Sequence, residues 1–454
     1  MHIKSLSSQN FLQKFSNKIV GILGLGVTGM SCLRAVQKSA KLCVCYDDKH
    51  HAYSSIDPTF ANVMTCTDVD DPVLSQLDIL VVSPGIVSAG TNAHPLAKKM
   101  HFLGVSMISD IEMMFCKYPN ANYIGVTGTN GKSTVTAMIA HILRSCGFDY
   151  LEGGNIGVPV MDLPAAAGYV LEVSSYQIEL IKNASFEIVI LTNLTPDHLD
   201  RYATEHQYYL TKLSLLHFLS DNGVFITIGN EENLACQYAK NIFPYSKIVI
   251  STNNMPLALF SFAPIKECLL SQFLIKDTIN GNASFAAQAC KALGCEDEDI
   301  FKGISSFKGL PHRLELVGTS GLVSFFNDSK ATNIESTLYA FAQLSEIYWI
   351  AGGKHLGSNL TPLLQYLHKI KKCYFFGQSR FDLKSVFASL QSCVVAETLE
   401  EVFKIAVQDA CSAGIKCCVL FSPAHKSFDQ FRNFEHRGQV FVALCNDTLE
   451  SLKV

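Results

Sequence analysis

The stretch Asn122–Thr134, NYIGVTGTNGKST, decides the fold of the central part of this chain. A short run of aliphatic and β-branched residues that ends in glycine is typical of a buried parallel strand, and the residues that follow have helical periodicity. The glycine-rich turn between them predicts a phosphate loop, because backbone N–H groups at a helix N-terminus bind anions. Lys132 would neutralise phosphate charge, and the Ser133 or Thr134 hydroxyl would reach Mg²⁺. Val126 stands where the GxxxxGK[ST] pattern has its first glycine, so a turn without a ligand is the alternative.

The same alternation of short apolar runs and helical patterns continues through most of the chain. It predicts an α/β fold with parallel strands covered by helices on both faces. We divide the sequence into segments 1–109, 110–309 and 310–454, and expect one domain in each. The apolar runs are IVGILGLG after Lys18, ILVVSPG after Asp78, YIGVTG after Asn122, YVLEVSS after Gly168 and EIVILTN after Phe186.

The composition narrows the class of protein. Of the 454 residues, 48% are hydrophobic and 17% are charged, which is typical of globular domains, and the formal net charge of -4 gives no basic excess for nucleic acid. The 16 cysteines show no zinc-finger spacing, and we expect them to be buried, reduced thiols. No apolar run is long enough for a membrane span, and the N-terminus lacks a signal-peptide pattern. We therefore expect a cytoplasmic protein without a nucleic-acid or membrane partner.

The first segment contains a second glycine-rich turn. Gly24, Gly26 and Gly29 form G-x-G-x-x-G between a predicted strand and a predicted helix, a pattern that lets the backbone approach a pyrophosphate. About 20 residues further on, Asp47 and Asp48 end the next strand and could hold a ribose or sugar hydroxyl. The alternatives are a tight turn without a ligand, or the cofactor site of a nicotinamide-dependent dehydrogenase, which would leave the phosphate loop without a use.

Acidic and imidazole side chains follow two predicted strands of the second segment. Glu172 ends the strand after Gly168, and Asp197, His198 and Asp200 come just after the strand at Ile188. The carboxyl ends of neighbouring parallel strands share one edge of the sheet, so these groups would face the phosphate loop. Hard oxygen ligands suit Mg²⁺, and a histidine can complete such a site.

An ordered series of motifs resembles the Mur ligases, a family of enzymes that add amino acids to cell-wall precursors. The central motifs are TGTNGKST, GGNIG, LEVSSYQ and NLTPDHLDRY. NDSKATN at 327–333 and SPAHKSFDQFRNFEHRG at 422–438 resemble the branch that adds D-glutamate to UDP-N-acetylmuramoyl-L-alanine. The matches run in order from about Ile19 to Gly438. The resemblance implies three domains: a Rossmann-like domain that binds UDP, a central domain that binds ATP, and a C-terminal Rossmann-like domain. It also implies a monomeric enzyme that forms an acyl phosphate.

The resemblance also implies roles for single residues. For catalysis it implies Lys132, His198, Lys212 and Lys330. For ATP it implies Gly128, Thr129, Asn130, Gly131, Lys132, Ser133, Thr134, Asn282, Arg313 and Asp328. For the UDP-linked substrate it implies Gly26, Val27, Thr28, Asp47, Asp48, Ser83, Gly85, Asn155, Ser174 and Gln177. For D-glutamate it implies Thr332, Ser427 and Phe434. Two Mg²⁺ ions are implied near Ser133, Glu172 and His198, with Lys212 as a carbamate that adds an anionic oxygen ligand.

Two departures from the family pattern leave questions open. The usual GG-x-D-K-G reads GGKHLG at 352–357, so Leu356 stands where a lysine would meet D-glutamate, and Lys354 or His355 is a candidate substitute. The usual G-x-H-N-x-x-N reads DTINGN from Asp277, and only Asn282 aligns. The rival functions are another Mur ligase, a folylpolyglutamate-synthase-like ligase, and a non-catalytic nucleotide-binding regulator. The regulator is disfavoured because Lys132, Glu172 and His198 are all present.

Overall fold

The structure is a computed structural model that describes residues 11–197, 201–227, 234–242, 249–251, 278–354, 359–389 and 391–451. The chain divides into two compact units, Met1–Phe307 and Lys308–Val454. The first unit contains two sheets and the second contains one. The expected α/β fold is confirmed, whereas the boundaries at 109 and 309 stay predictions. Among the described residues no helix combines the length and the apolar character that a membrane crossing requires.

The first sheet has five parallel strands in the order β3-β2-β1-β4-β5. Its strands are β1 (Ile19–Leu23), β2 (Leu42–Tyr46), β3 (Val63–Cys66), β4 (Ile79–Val82) and β5 (Ser106–Ile108). The helices of this region are α1 (Val27–Val36) and α2 (Pro95–Phe102), with 3₁₀ turns at His50–Ser55 and Pro72–Gln76. The predicted strands after Lys18 and Asp78 are therefore β1 and β4.

The second sheet has six parallel strands in the order β11-β10-β9-β6-β8-β7. They are β6 (Asn122–Thr127), β7 (Tyr150–Gly154), β8 (Gly168–Glu172), β9 (Phe186–Leu191), β10 (Leu219–Thr227) and β11 (Val249–Ser251). The helices are α3 (Asp110–Lys117), α4 (Lys132–Ser145), α5 (Ser175–Ile178), α6 (Glu205–Leu213), α7 (Leu234–Ile242), α8 (Thr278–Ala292) and α9 (Asp297–Ser306), with 3₁₀ turns at Val160–Asp162 and Ser214–Phe218.

Helix α3 ties the two sheets of the first unit together. Ser109 accepts the amide of Glu112 and caps the helix. The buried Glu112 carboxylate accepts the backbone N–H groups of Lys182 and Asn183 at 2.9 and 3.0 Å, beyond β8. Asp110, also buried, accepts the Gln177 amide at 2.8 Å. A buried carboxylate is tolerated when donors satisfy it, and these bonds anchor α3 to the segment that follows β8.

The third sheet lies in the second unit, and only its edge strand β12 is antiparallel. Its order is β12-β13-β17-β14-β15-β16. The strands are β12 (Glu315–Ser320), β13 (Val323–Asn327), β14 (Ile347–Gly352), β15 (Ile370–Phe376), β16 (Cys393–Val395) and β17 (Cys417–Phe421). The helices are α10 (Ile334–Gln343), α11 (Arg380–Phe387), α12 (Leu399–Ser412) and α13 (Phe434–Ser451), with a 3₁₀ helix at Thr361–Lys369.

Both faces of the third sheet are buried, as the continuous apolar runs predict. Along β14, Ile347 and Trp349 face one core and Tyr348 and Ile350 face the other. Successive strand side chains point to opposite faces, so the two cores follow directly from the period of two.

Candidate active site

The phosphate loop connects β6 to α4 at the carboxyl edge of the second sheet. Gly128 has φ +137° and Gly131 has φ +84°, conformations that favour glycine. A Cβ at Gly128 would collide with the Thr192 hydroxyl, and one at Gly131 would lie 2.7 Å from Asn282 Oδ1. The helix starts at Lys132, three residues before the apolar helical pattern begins, because the left-handed Gly131 turns the chain into it. No side chain caps this N-terminus, so the first-turn N–H groups face outward for an anion.

The loop is held from β9 by two side chains that the sequence reasoning did not single out. Asn193 Oδ1 accepts the Asn130 amide and its Nδ2 donates to the Asn130 carbonyl, both at 2.9 Å. Thr192 Oγ1 donates to the same carbonyl at 2.6 Å. The Lys132 ammonium donates to the carbonyls of Gly128 and Thr129 at 3.0 and 2.8 Å, so it lies over the loop. Asn193 is the first residue of the NLTPDHLDRY motif, and this motif is the sequence feature that could have identified it.

Lys212 approaches the same loop from α6. Its side chain is only 3% exposed, and Nζ donates to the Gly128 carbonyl at 2.8 Å. Burial lowers the pKa of Lys212 well below its usual value, and the charge of Lys132 lowers it further, while Asp197 and Glu172 oppose the shift. This shift favours the neutral amine, which is the nucleophilic form of lysine.

Glu172 lies at the carboxyl end of β8, as predicted. The residue is 3% exposed, and its Oε1 accepts the Asn155 amide at 3.1 Å. Opposite it in the sheet register is Val126, just before the phosphate loop. The Ser133 hydroxyl and this carboxylate are hard oxygen donors, so the residues present fit Mg²⁺. No group of three or more His, Cys, Asp or Glu side chains that could hold a metal ion occurs in the described ranges. Mg²⁺ often takes its remaining ligands from water and substrate phosphate.

Several predicted positions fall outside the described residues. They are His198 and Asp200 of the DHLD motif, Asp277 before α8, and His355 and Leu356 of the GGKHLG stretch.

The glycine turn of the first sheet is braced by two of the predicted substrate residues. Ser83 Oγ donates to the Gly24 carbonyl at 2.7 Å, and the Leu25 amide donates to Asp47 Oδ2 at 2.6 Å. Two residues of the turn, Gly26 and Val27, are exposed to solvent. Val27 is 73% exposed, which is unusual for a large apolar side chain. The other members of this group in the first sheet's region are Gly26, which is the N-cap of α1, Thr28, Gly85, and Asp48, whose carboxylate contacts His94 Nε2 at 3.1 Å.

Ser174 and Gln177 form the capping box of α5. Gln177 Oε1 accepts the Ser174 amide at 3.0 Å, and its Nε2 donates to Asp110. Gln177 is buried, so the structure gives it bonds within the protein. Its contact with substrate stays a prediction.

The second unit gathers its predicted residues at the carboxyl ends of β13 and β17. Asp328 is buried, where it accepts the Leu314 amide at 3.0 Å and the Ser422 hydroxyl at 2.7 Å. Burial raises the pKa of Asp328 to about 7, although these hydrogen bonds lower it. The Lys330 ammonium lies 3.8 Å from the centre of the Phe434 ring, a cation–π contact. Arg313 is half-buried between His312 and Leu314, both of which have positive φ.

Ser427 and Lys354 are joined through the backbone. Lys354 forms an isolated antiparallel bridge with Lys426, and its N–H donates to the Lys426 carbonyl at 2.8 Å. Ser427 follows directly and is buried, whereas both lysines are exposed. Thr332 lies in the turn after Lys330, to whose carbonyl it donates at 2.8 Å.

Known proteins resemble this chain over nearly its whole length. The family models of the MurD-like N-terminal domain and of the Mur ligase middle domain match residues 18–108 and 126–262. A UDP-N-acetylmuramoylalanine–D-glutamate ligase of Rickettsia prowazekii is 34% identical over 458 residues, which is 95% of this chain and 99% of the relative. The chain belongs to the Mur ligase family.

Other comparisons extend the Mur ligase assignment. A UDP-N-acetylmuramoylalanine–D-glutamate ligase of Caulobacter vibrioides is 33% identical over 95% of this chain and 96% of its own. The crystal structure of the UDP-N-acetylmuramate–alanine ligase of Thermotoga maritima has a TM-score of 0.58 at 14% identity, and covers 95% of this chain and 99% of that chain. This second similarity shows a shared Mur ligase fold.

Proposed function

We propose that this Mur ligase joins D-glutamate to UDP-N-acetylmuramoyl-L-alanine with ATP as the energy source, in the cytoplasm and as a monomer. The observation that carries the proposal is the phosphate loop with Lys132 above it and the buried Lys212 amine against its Gly128 carbonyl. A simple nucleotide-binding turn does not need a buried second amine. The near full-length similarity to D-glutamate ligases supports the choice of substrate.

The first step is transfer of the γ-phosphoryl group of ATP to the carboxylate of the alanine moiety. The N–H groups at the start of α4 bind phosphate oxygens, and the Lys132 ammonium spreads the charge that develops on them. Mg²⁺, of which we propose two ions near Ser133, Glu172, His198 and carbamylated Lys212, would supply further neutralisation when bound. Arg313 and Asp328 of the second unit, with Asn282 of the first, are proposed contacts of ATP.

The second step is attack of the D-glutamate amine on the acyl phosphate. The bond from carbon to nitrogen forms, a tetrahedral intermediate collapses, and phosphate leaves. Lys330, Thr332, Ser427 and Phe434 are the proposed residues that position the amino acid. The proposed binding site of the uridine nucleotide is the exposed turn at Gly26, Val27 and Thr28, together with Gly85.

The paired lysines support a substitute for the family lysine in whose place Leu356 stands. Residues directly opposite in an antiparallel bridge carry their side chains on the same face, and like charges placed there repel each other. Lys354 and Lys426 are so placed beside the buried Ser427. An amino acid with two carboxylates would relieve this repulsion, so we propose that the pair binds the carboxylates of D-glutamate.

Phosphate release from ATP, measured with a panel of UDP-muramoyl precursors and D- and L-amino acids, tests the function. We expect turnover only with UDP-N-acetylmuramoyl-L-alanine and D-glutamate together, and its loss in Lys132→Ala. Turnover with another precursor or amino acid in preference would assign a different Mur ligase activity. Tight NADH binding with hydride transfer would refute the ligase altogether.

A further inference from the structure

Helices α4 and α8 both end in the same kind of turn, and each turn carries a cysteine. After α4, Cys146 is followed by Gly147 at φ +84°, and the Phe148 amide donates to the Leu143 carbonyl at 2.9 Å. After α8, Gly294 has φ +87°, and the Cys295 amide donates to the Cys290 carbonyl at 3.0 Å. This bond closes a Schellman motif, which brings the side chains of its first and last residues together. Cys290 and Cys295 are those two residues.

The two helices lie side by side and run in the same direction. Near their starts, Asn282 of α8 lies beside Gly131 at the N-terminus of α4, where a Cβ would be 2.7 Å from its Oδ1. Further along, the Cys290 thiol points at the Ile139 carbonyl of α4 at 3.9 Å. The number of residues between the first of these positions and the second is the same along α4 as along α8. The two C-terminal turns are therefore neighbours, and Cys146 meets Cys295.

The result is a cluster of three thiols, Cys146, Cys290 and Cys295, which we call the thiol triad. The Cys295 thiol lies close enough to the thiols of both others to interact with them. Cys290 is fully buried, Cys295 is 7% exposed, and Cys146 is partly exposed. The hydrogen bond with Cys290 and then that with Cys146 lower the pKa of Cys295 to about 7, although burial opposes the shift. A thiolate at neutral pH is the reactive form of cysteine.

We propose that Cys146 and Cys295 form a reversible disulfide when the protein meets a peroxide. The Cys295 sulfur attacks one oxygen of hydrogen peroxide, the O–O bond breaks, and the other oxygen departs as water. Cys295 then carries a sulfenic acid. The Cys146 sulfur then attacks the Cys295 sulfur, the S–S bond forms, and the S–O bond breaks. The hydroxyl departs with the Cys146 thiol proton as a second water. The two thiols lose two electrons, which reduce one peroxide to two waters.

Cys146 is the partner because it is the member of the triad that is partly exposed. The second step releases water, and the Cys290 thiol is fully buried and directed at a carbonyl of α4. The disulfide would link the C-terminal ends of α4 and α8. The phosphate loop is at the opposite end of the 14-residue α4, roughly 20 Å away along the helix axis. The link should therefore stabilise the fold and leave ATP turnover nearly unchanged.

Peptide mapping of the full chain after hydrogen peroxide and alkylation tests the proposal. We expect a linked peptide pair that contains Cys146 and Cys295, its reversal by a thiol reductant, and a rise of several degrees in Tm. Phosphate release should stay within about twofold, since the phosphate-binding end of α4 is untouched.

Variants and a control separate the triad from other thiols. Cys146→Ser and Cys295→Ser should abolish the link and the rise in Tm, whereas Cys411→Ser, at an exposed cysteine of α12, should change neither. A Cys373–Cys393 link, from the neighbouring thiols of β15 and β16, would give different peptides. Full alkylation of Cys146 and Cys295 in the treated parent, or a Cys290–Cys295 link, would overturn the proposal without any variant.

Discussion

The Lys212 amine lies against the Gly128 carbonyl and close enough to Lys132 for the two charges to interact. Two ammonium groups at one phosphate loop, one of them buried, are unfavourable unless one is neutral or modified. A neutral amine can react with CO₂, which turns a cation into an anion that suits a metal site. The burial of Lys212 thus supports the carbamate that we propose there, as the family resemblance does.

We expect Lys212→Ala to lose at least ~10³-fold in the rate of phosphate release while the fold is retained. A small carboxylic acid in the medium should partly restore the rate, because it can occupy the vacated space with the same charge. Lys302→Ala, at an exposed lysine paired with Glu298, is the control and should match the parent. Parent-like turnover of Lys212→Ala in CO₂-depleted buffer would show that no carbamate is needed.

A second prediction at this scale concerns the buried Asp110 carboxyl. Burial raises the pKa of Asp110 to about 6, although hydrogen bonds from Gln177 and the backbone lower it. Because the folded pKa lies above the unfolded one, the protonated acid stabilises the fold at low pH, and this contribution is lost as pH rises through about 6. A shift of this size corresponds to at most ~3 kcal/mol.

Asp110→Asn should therefore be more stable than the parent at pH 8, by up to ~3 kcal/mol, with the gain shrinking towards pH 4. Asparagine keeps an oxygen that can accept from Gln177 and carries no charge. Urea denaturation at several pH values measures the difference. Parallel stability curves for the two proteins would mean that Asp110 titrates normally in the fold.

At the scale of elements, the conformation of the phosphate loop depends on what packs against its glycines. Gly128 and Gly147 both have positive φ, but only Gly128 has a neighbour, Thr192, where a Cβ would lie. A methyl group at Gly147 would meet open space and cost only the backbone strain of about 1–2 kcal/mol. A comparison of alanine variants at the two glycines therefore distinguishes the effect of backbone strain from that of a steric collision.

We expect Gly128→Ala to weaken ATP binding by at least ~10²-fold, since the collision displaces the carbonyl that Lys132 and Lys212 contact. Gly147→Ala should lose some thermal stability and keep its ATP affinity. Calorimetric titration with a non-hydrolysable ATP analogue gives both affinities. Equal losses in the two variants would show that backbone strain alone explains the effect.

The bridge between Lys354 and Lys426 is the element that bears on specificity. We expect Lys426→Ala to raise the KM for D-glutamate about tenfold, with the KM for ATP unchanged, because one charge-assisted contact is lost. Selectivity for D-glutamate over D-glutamine should fall as well. Lys416→Ala, at an exposed lysine just before β17, is the matched control. An unchanged KM and selectivity would remove the lysine pair from the amino-acid site.

At the scale of the whole molecule, one buried arginine holds together the loops of the second unit. Arg437 on α13 donates through Nε to Ser329 Oγ at 3.1 Å and through Nη2 to the Ser329 carbonyl at 2.8 Å. Its Nη1 donates to the carbonyls of His425 and Gly352 at 2.9 and 3.4 Å. Three loops that carry predicted site residues therefore share one guanidinium, whose planar fork a lysine cannot reproduce.

Arg437→Met should destabilise the second unit by at least ~2 kcal/mol, because it leaves several buried carbonyls without a donor. Hydrogen–deuterium exchange should show faster exchange in peptides from 308–454 and unchanged exchange in those from 1–307. Ser451→Ala, near the exposed end of the same helix, should leave both regions unchanged. Faster exchange throughout the chain would mean that the two units unfold together.

The sequence by itself determined the α/β class, the strands and the phosphate loop. Apolar runs of strand length and the glycine positions between Thr127 and Lys132 follow local rules of burial and backbone conformation, which neighbouring residues dictate. The motif series also placed Glu172 at the end of β8. The apolar pattern begins three residues after the start of α4, because it does not include the polar first turn.

Only the tertiary structure decided which side chains meet across long stretches of chain. Nothing local to Lys212 shows that it is buried against Gly128, and nothing near Cys146 points to Cys295. The roles of Asn193 and Arg437 likewise depend on loops that are distant in sequence. Burial and electrostatic environment come from packing, so the pKa values and contacts that set chemistry could not be determined from sequence alone.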